Sequence, residues 1–279
     1  MTTNLIASVL AALLAALALH GYLRLRGTTL GAACLWTAFS ASCLVLAAVA
    51  APQLEGIGQS ALRFALACTT FCPMMAVLGA KRPQSRGWQW IVASLWLVLV
   101  WPAAQAALLP AGVTLELFVA WKMFLWGLIA IGLVNYLPTS NWRAAILLAL
   151  GQILLLRDFL GLPATDSPAV SDLVAILSLL SAAGIVLQRS AANTTRDASL
   201  STLASPTSRW LRIRDLFGAF WALRILGRVN QAAELRDWPM RLSWHGFVPS
   251  DNAGPSDDQL AELEQTMDSM LRRFLEVDE

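Results

Sequence analysis

Long apolar segments alternate with short polar connections over roughly the first two thirds of the chain. Each segment is about 20 residues long, the length that a helix needs to cross a hydrocarbon core about 30 Å thick. This pattern predicts an all-α integral membrane protein with a bundle of seven transmembrane helices. The predicted spans cover residues 5–23, 30–51, 57–80, 88–109, 115–137, 142–160 and 170–187.

Prolines and charges modify this prediction at particular spans. Pro73 and Pro102 fall inside spans and predict kinks. The third span contains Arg63, and the sixth contains Arg143 and Arg157, which shorten its apolar part. A count of five or six spans therefore stays open beside seven.

The charges of the connections predict how the chain is threaded, because cytoplasmic loops are enriched in Lys and Arg. One set of alternate connections is basic and the other is poor in basic residues. The seven-span threading satisfies this rule with the N-terminus outside and the C-terminus in the cytoplasm. The basic set comprises Arg24, Arg26, Lys81, Arg82, Arg86, Arg143, Arg189 and Arg196.

The first span has a second interpretation, because residues 16–18 (ALA) resemble the small-residue cleavage site of a signal peptide. No basic residue precedes this span, and Arg24 and Arg26 follow it. That polarity is the reverse of a signal peptide's, so we favour a retained first helix.

Composition supports a membrane location, since 57% of the residues are hydrophobic and only 14% are charged. Only Lys81 and Lys122 are lysines among the 20 basic residues. This bias, together with the high Ala and Leu content, is typical of a GC-rich bacterium. We therefore expect a multi-pass protein of the bacterial cytoplasmic (inner) membrane.

The density of charge divides the chain near residue 188. Residues 1–188 carry nine basic and five acidic side chains, whereas residues 189–279 carry eleven basic and thirteen acidic ones. We interpret residues 1–188 as the transmembrane bundle, 189–208 as a flexible linker rich in small polar residues, and 209–279 as a small, mainly helical cytoplasmic or interfacial module.

Lys122 is the clearest candidate for a functional residue within the spans, because ionisable groups at membrane depth are rare. In the predicted fifth span it lies seven residues from the outer end, roughly 10 Å deep by helical rise. It is expected to snorkel, to form a structural ion pair, or to belong to a polar ligand site. The residues predicted to share that site are Gln105, Glu116, Gln152 and Asp172, with Arg63, Arg157 and Asp158 nearby.

Cys68 and Cys72 share one helix face and precede Met74 and Met75, a set of soft ligands that suits Cu(I). Packing of small polarizable side chains between helices is the alternative that we favour. A metal site usually includes a histidine or a third thiolate nearby, and the chain has only two histidines in all. We therefore predict no bound metal and no cofactor.

Catalytic motifs are missing from the sequence. It contains no HExxH, no GxxxxGK[ST] and no GxSxG pattern. No carboxylate pair lies at helical spacing inside a span. We assign no catalytic residue, and an enzyme is not the favoured class.

The tail begins with an apolar run, 216–226, that is too short to span a membrane and is apolar nearly all the way round a helix. Such a segment is expected to be covered on more than one side, by headgroups, by the bundle, by the rest of the tail or by another protein. The candidate interface residues for a partner or the membrane are Phe217, Trp221, Arg224, Arg228, Trp238 and Trp244.

Two further elements are predicted in the tail. Residues 238–247 alternate at strand period, and no second strand-like run follows them. We expect either a lone strand that pairs with another chain or an extended loop. Ser256 and Gln259 form a capping box before an amphipathic helix.

These observations lead to two functional hypotheses. The first is a non-catalytic membrane sensor, anchor or complex-assembly subunit whose tail, residues 209–279, docks a protein partner or a second copy. The alternative is a small permease or ligand-binding bundle with a polar site around Lys122. The lipid bilayer is an expected partner, and nucleic acid is not.

Overall fold

The computed structural model describes residues 2–25, 28–81, 85–108, 115–163, 167–196, 204–249, 255–272 and 274. Arg26, Arg82, Leu109 and residues 197–203 of the predicted linker lie outside the described residues. In the first part of the chain the helices are α1 (Thr2–Arg24), α2 (Gly31–Ala50), α3 (Gly56–Ala67), α4 (Cys72–Leu78), α5 (Ser85–Leu99), α6 (Trp101–Leu108), α7 (Val119–Tyr136), α8 (Trp142–Leu160) and α9 (Pro168–Arg196).

The apolar helices confirm an all-α membrane protein. Five of the described helical segments are long and apolar enough to cross a membrane, and the bent pair α5 and α6 makes up to six. The segment α8 does not reach this standard, because Arg143, Arg157 and Asp158 fall within its 19 residues. Seven spans, with the N-terminus outside, stay a prediction.

Both prolines predicted to kink a span lie at irregular backbone. A 3₁₀ turn, Cys68–Phe71, separates α3 from α4 just before Pro73. In the fourth predicted span, the axes of α5 and α6 meet at a bend of 47°, and Pro102 lies in the first turn of α6. A proline lacks the amide hydrogen of a regular helix, so both breaks have the same physical cause.

The bundle is built from neighbouring helix pairs. The helix α1 packs along α2 and α9, and α8 packs between α7 and α9. The paired helices α3 and α4 continue each other and contact α2. Only 17% of the apolar 18-residue window in α1 is buried inside the protein, as expected for a helix that faces lipid.

The tail folds into a small module of one long helix, a hairpin and a final helix. These are α10 (Ala204–Leu235), β1 (Met240–Ser243), β2 (Gly246–Pro249) and α11 (Asp257–Leu271). The helix α9 continues beyond residue 189 to Arg196, so the first part of the predicted linker is helical. The capping box at Ser256 and Gln259 is confirmed as the start of α11.

The prediction that strand-like residues 238–247 lack a partner within the chain is wrong. The strands β1 and β2 pair as an antiparallel hairpin, with Met240 opposite Pro249 and Ser243 opposite Gly246. The second strand has no clear alternating pattern in the sequence, because it is only four residues long and ends in proline. Its backbone satisfies the groups that a lone strand would leave open.

A break at Gly218 divides α10 into two helical halves. Its backbone angles are φ 78° and ψ −178°, a conformation that is open to glycine but not to residues with a side chain. The first half contacts the hairpin through Trp210, whose indole donates a hydrogen bond to the Trp244 carbonyl. The second half begins beside the ends of α4 and α7 and contacts the hairpin through Asn230. The buried apolar side chains of the module include Trp210, Ile213, Phe217, Trp221, Ile225, Val229, Trp238, Met240, Leu242, Leu263, Met267, Leu271 and Phe274.

Candidate functional site

A cavity of about 770 Å³ opens at the end of the bundle where α3 and α7 begin and α8 ends, which we call the cavity end. This volume lies within the range of small-molecule sites, about 300 to 1,000 Å³. The cavity combines charged and apolar walls. It is lined by Gly56, Gln59, Ser60, Arg63, Leu115, Glu116, Leu117, Lys122, Asp158, Phe159 and Leu162.

Lys122 lies in the first turn of α7, because this helix begins at Val119 rather than at residue 115. Lys122 is therefore only three residues, about 4.5 Å by helical rise, from the start of α7, whereas the predicted depth of roughly 10 Å assumed a helix that begins at residue 115. Residues 115–118 are not helical, Phe118 is extended, and the Leu115 amide donates a hydrogen bond to Ser60 Oγ (3.1 Å). This bond holds the segment with Glu116 over the cavity.

The ammonium group of Lys122 lies beside the C-terminal end of α8. A methyl group added to Gly161, the left-handed residue that ends α8, would lie 3.4 Å from Lys122 Nζ. The last carbonyl groups of a helix carry a partial negative charge, which favours a cation at this position. Among the described residues Lys122 has no ion pair with a carboxylate.

Arg63 joins the two acidic side chains nearest to it on α8 and α9. Its Nη2 donates hydrogen bonds to both carboxylate oxygens of Asp172, at 2.7 and 2.9 Å. Its Nη1 lies 3.7 Å from Asp158 Oδ2. Because one guanidinium contacts both carboxylates, this network ties α3 to α8 and α9 and fixes one wall of the cavity.

The structure brings together some of the residues predicted for a polar site and separates the others. Lys122 and Glu116 both line the cavity. Asp172 does not line it but accepts a hydrogen bond from Arg63, which does. Gln152 is buried elsewhere in the bundle and donates a hydrogen bond to the Thr70 carbonyl (3.1 Å). Gln105 is exposed on α6 and does not line the cavity.

The opposite end of the bundle, where α4 and α7 end and α8 begins, is covered by α10 and is called the tail end. The Trp221 indole donates a hydrogen bond to the Val77 carbonyl (3.0 Å), and the Tyr136 hydroxyl donates to the Leu216 carbonyl (2.9 Å). The Trp244 indole donates to the Pro138 carbonyl (2.8 Å). These bonds satisfy carbonyl groups that helix ends leave open.

Asn135 is fully buried in the last turn of α7 and marks the closest approach of the tail. Its Oδ1 accepts a hydrogen bond from the Phe220 amide (3.0 Å), which caps the second half of α10 from outside. The Gly218 backbone lies so close to it that an added Cβ would be 2.3 Å from Asn135 Nδ2. Sequence reasoning missed both residues.

A buried ion pair also joins the tail to the bundle. The side chain of Arg214 is only 7% exposed, and its Nη2 lies 2.9 Å from Asp215 Oδ1. The same guanidinium donates to the Trp244 carbonyl (2.8 Å) and to Ser140 Oγ (3.1 Å). Asp215 in turn accepts from the Ser140 amide (3.1 Å), so each charge at this junction has a partner.

The tail residues predicted to meet a partner or the membrane fall into two groups. Phe217, Trp221 and Trp238 are buried within this chain, and Trp244 is partly buried against it. The rings of Phe217 and Trp221 both contact the ring of Phe274, at 5.0 and 5.3 Å between centroids. Arg224 and Arg228 are exposed.

Among the residues that the structure describes, no group of three or more His, Cys, Asp or Glu side chains is arranged to hold a metal ion. Cys43, Cys68 and Cys72 are all buried as free thiols in the bundle. Comparison with models of protein families, with curated proteins and with solved structures returns no match. The function is therefore inferred from the geometry of this chain.

Proposed function

We propose that this chain is a non-catalytic membrane sensor that binds a small zwitterionic solute in the cavity beside Lys122. One observation carries the proposal. The cavity contains an ammonium group, Lys122, and a carboxylate, Glu116, that have no ion-pair partner among the described residues. A ligand with one charge of each sign can satisfy both groups without adding net charge to the site.

The apolar part of the wall narrows the ligand class further. Leu115, Leu117, Phe159 and Leu162 line the same cavity as the two charged groups. Apolar walls with a few convergent polar groups are typical of small-molecule sites, in which the polar groups orient the ligand. We therefore propose amino acids with apolar side chains, or short peptides of them, as the ligand class.

A binding role is favoured over transport by the arrangement at the tail end. The helix α10 covers the ends of α4 and α7, and its polar contacts there are buried and mutually satisfied. A permease must open both ends of its bundle in turn. The helix α7 carries Lys122 at one end and Asn135 at the other, about 20 Å apart by helical rise, so it can relay a change at the cavity to the tail.

The threading and the location are parts of this proposal. The tail end has the basic residues Arg24, Lys81 and Arg143, which suit a cytoplasmic face. The cavity would then open to the outside of a bacterial inner membrane. In a variant whose four native cysteines are replaced by alanine, a cysteine introduced at Ser60 should react with an impermeant maleimide added to intact cells, whereas one at Ser140 should react only after lysis.

Thermal unfolding of the purified full-length protein in detergent tests the ligand site. Leucine and leucyl-leucine should raise the melting temperature, and the single-charge analogues isocaproate and isoamylamine should not. Lys122→Met and Glu116→Gln should each abolish the response. The matched control is Lys81→Met, which removes the chain's other lysine at the tail end and should leave the response intact.

Two results would contradict this assignment. The first is equal stabilisation by leucine and by isocaproate, which would show that the amino group is not recognised. The second is an unchanged response of the Lys122→Met variant, which would place the ligand elsewhere.

A second candidate function is the anchoring or assembly of a protein partner through residues 209–279. It is favoured by the tail being folded, with buried side chains such as Trp210, Leu263 and Met267, rather than an extended segment. We rank it second because the rings of Phe217, Trp221 and Trp238 are covered within the chain. Copurification of the full-length protein in mild detergent tests it: a stoichiometric partner that the Lys122→Met variant retains would favour assembly over ligand sensing.

A further inference from the structure

The second half of α10 presents one exposed face that combines apolar and basic side chains. Phe220 is 41% and Leu223 is 58% exposed, although both are large and apolar. Arg224, Gly227 and Arg228 are also exposed. Residues three and four apart lie on the same side of a helix, so these five positions form a single stripe, which we call the exposed α10 face.

Contacts with the bundle fix the level of this face relative to the membrane. Its first residue, Phe220, donates its backbone amide to Asn135 near the end of α7 (3.0 Å). The next residue, Trp221, donates its indole N–H to Val77 near the end of α4 (3.0 Å). The exposed α10 face therefore begins where membrane-spanning helices end, at the level of the lipid headgroups.

The arginines of the tail divide into two groups by their partners. Four of them lie within 3.5 Å of a carboxylate of the same module: Arg209 with Asp268, Arg214 with Asp215, Arg236 with Glu262 and Arg241 with Glu234. Arg224 and Arg228 have no such partner within the described part of the chain, and neither do Arg212 and Arg272, which lie outside the exposed face of the second half of α10.

Arg224 is nevertheless held in place. Its guanidinium carbon lies 5.3 Å from the centroid of the Trp221 ring, which is itself pinned to the bundle. Gly227 leaves open space between the two arginines, since an added Cβ would meet nothing within 4 Å. The exposed α10 face thus offers two guanidinium groups around a gap in the helix surface.

We propose that the exposed α10 face binds the headgroups of anionic phospholipids. Arg224 and Arg228 contact the lipid phosphates, and Phe220 and Leu223 enter the boundary between headgroups and acyl chains. Two observations favour a lipid over a soluble protein as the occupant. The face begins beside the ends of α4 and α7, and it joins unpaired cations to exposed apolar side chains, the combination found in interfacial helices.

The test compares two double variants of the full-length protein in neutral detergent. Arg224→Gln with Arg228→Gln removes two charges and one arginine stacked on a tryptophan. The matched control, Arg236→Gln with Arg241→Gln, also removes two charges and one such stack, since Arg236 lies 5.5 Å from the Trp238 ring. The probes are mixed micelles containing phosphatidylglycerol or phosphatidylcholine, and binding is followed by native mass spectrometry and by the rise in melting temperature.

Wild type should prefer phosphatidylglycerol, and the first variant should need roughly 25-fold more of it for half-saturation, about fivefold for each arginine. The control should keep the affinity of wild type. Equal binding of the two lipids by wild type would overturn the proposal and direct the search to a protein occupant. Equal loss in both variants would also overturn it, because net charge alone would then explain the effect. Melting temperatures without added lipid show whether each variant is folded.

Discussion

The two ends of the bundle differ in how completely their charged groups are paired, although Arg63 pairs with Asp158 and Asp172 at the cavity end. At the tail end, Arg214, Asp215 and Asn135 are buried or nearly so, and each has a partner. At the cavity end, Lys122 and Glu116 face open space and have no ion pair among the described residues. Buried groups that are all paired stabilise one arrangement, whereas charged groups that line a cavity without an ion pair are available to a ligand. We infer that the tail end is structural and that the cavity end is functional.

The largest effect is expected from Gly218→Val at the tail end. A side chain there would collide with the Asn135 amide and would force a branched residue into a positive φ. We expect a loss of at least about 3 kcal/mol of stability, seen as a much lower melting temperature in detergent. The control is Gly227→Ala on the same helix, where nothing lies within 4 Å of the added Cβ, and it should be neutral or stabilising by up to about 1 kcal/mol. Similar melting of both variants would contradict this account of the break.

Arg214→Met should have the next largest effect, because it leaves Asp215 without its cation in a site that is mostly shielded from water. The expected cost is about 2 to 3 kcal/mol, measured as the shift of the melting curve. Arg209→Met is the matched control. It breaks an ion pair of 2.7 Å between exposed side chains, and it should cost less than about 1 kcal/mol. An equal loss of stability in both variants would mean that burial does not determine how much these two ion pairs stabilise the protein.

A smaller effect is expected at the capping box of α11. The Ser256 hydroxyl accepts a hydrogen bond from the backbone amide of Gln259 (3.3 Å), and Ser256→Ala removes this bond. Loss of an N-cap costs about 1 kcal/mol, and the melting temperature should fall slightly. Ser269→Ala, at an exposed position inside the same helix, should not lower it. A lower melting temperature of Ser269→Ala but not of Ser256→Ala would refute the assignment of Ser256 as the N-cap of α11.

The smallest effect on stability is expected from Lys122→Met. The lysine has no ion pair among the described residues, and a methionine fits beside the apolar wall of the cavity. The melting temperature should change by less than the equivalent of about 0.5 kcal/mol. A strong destabilisation would show that Lys122 is a structural residue.

The sequence predicts the helices of this protein well where the signal is local. Apolar segments of sufficient length and the Ser256 capping box identify α1, α2 and α11 without tertiary information. The start of α7 was misplaced because residues 115–118 are apolar enough to resemble helix. They lie outside α7, and the Leu115 amide bonds instead to Ser60, far away in the chain.

The site was predictable only in part. Lys122 and Glu116 were found because charges are rare in apolar sequence. Asn135 and Gly218 carry no signal of their own, since each acquires its role only when the tail folds back on the bundle. The same folding explains why the aromatic residues Phe217 and Trp221 are covered within the chain. Contacts between distant segments are not encoded in any local pattern.

The difference between the two ends is tested most directly by leucine-induced stabilisation of two variants, Lys122→Met and Arg214→Met, beside wild type. The account predicts a crossed result. Lys122→Met should melt at the temperature of wild type and lose the response to leucine, whereas Arg214→Met should melt at a lower temperature and keep the response. Two results would contradict the assignment of function to the cavity end. One is a Lys122→Met protein that leucine still stabilises. The other is a stable Arg214→Met protein whose melting temperature leucine does not raise.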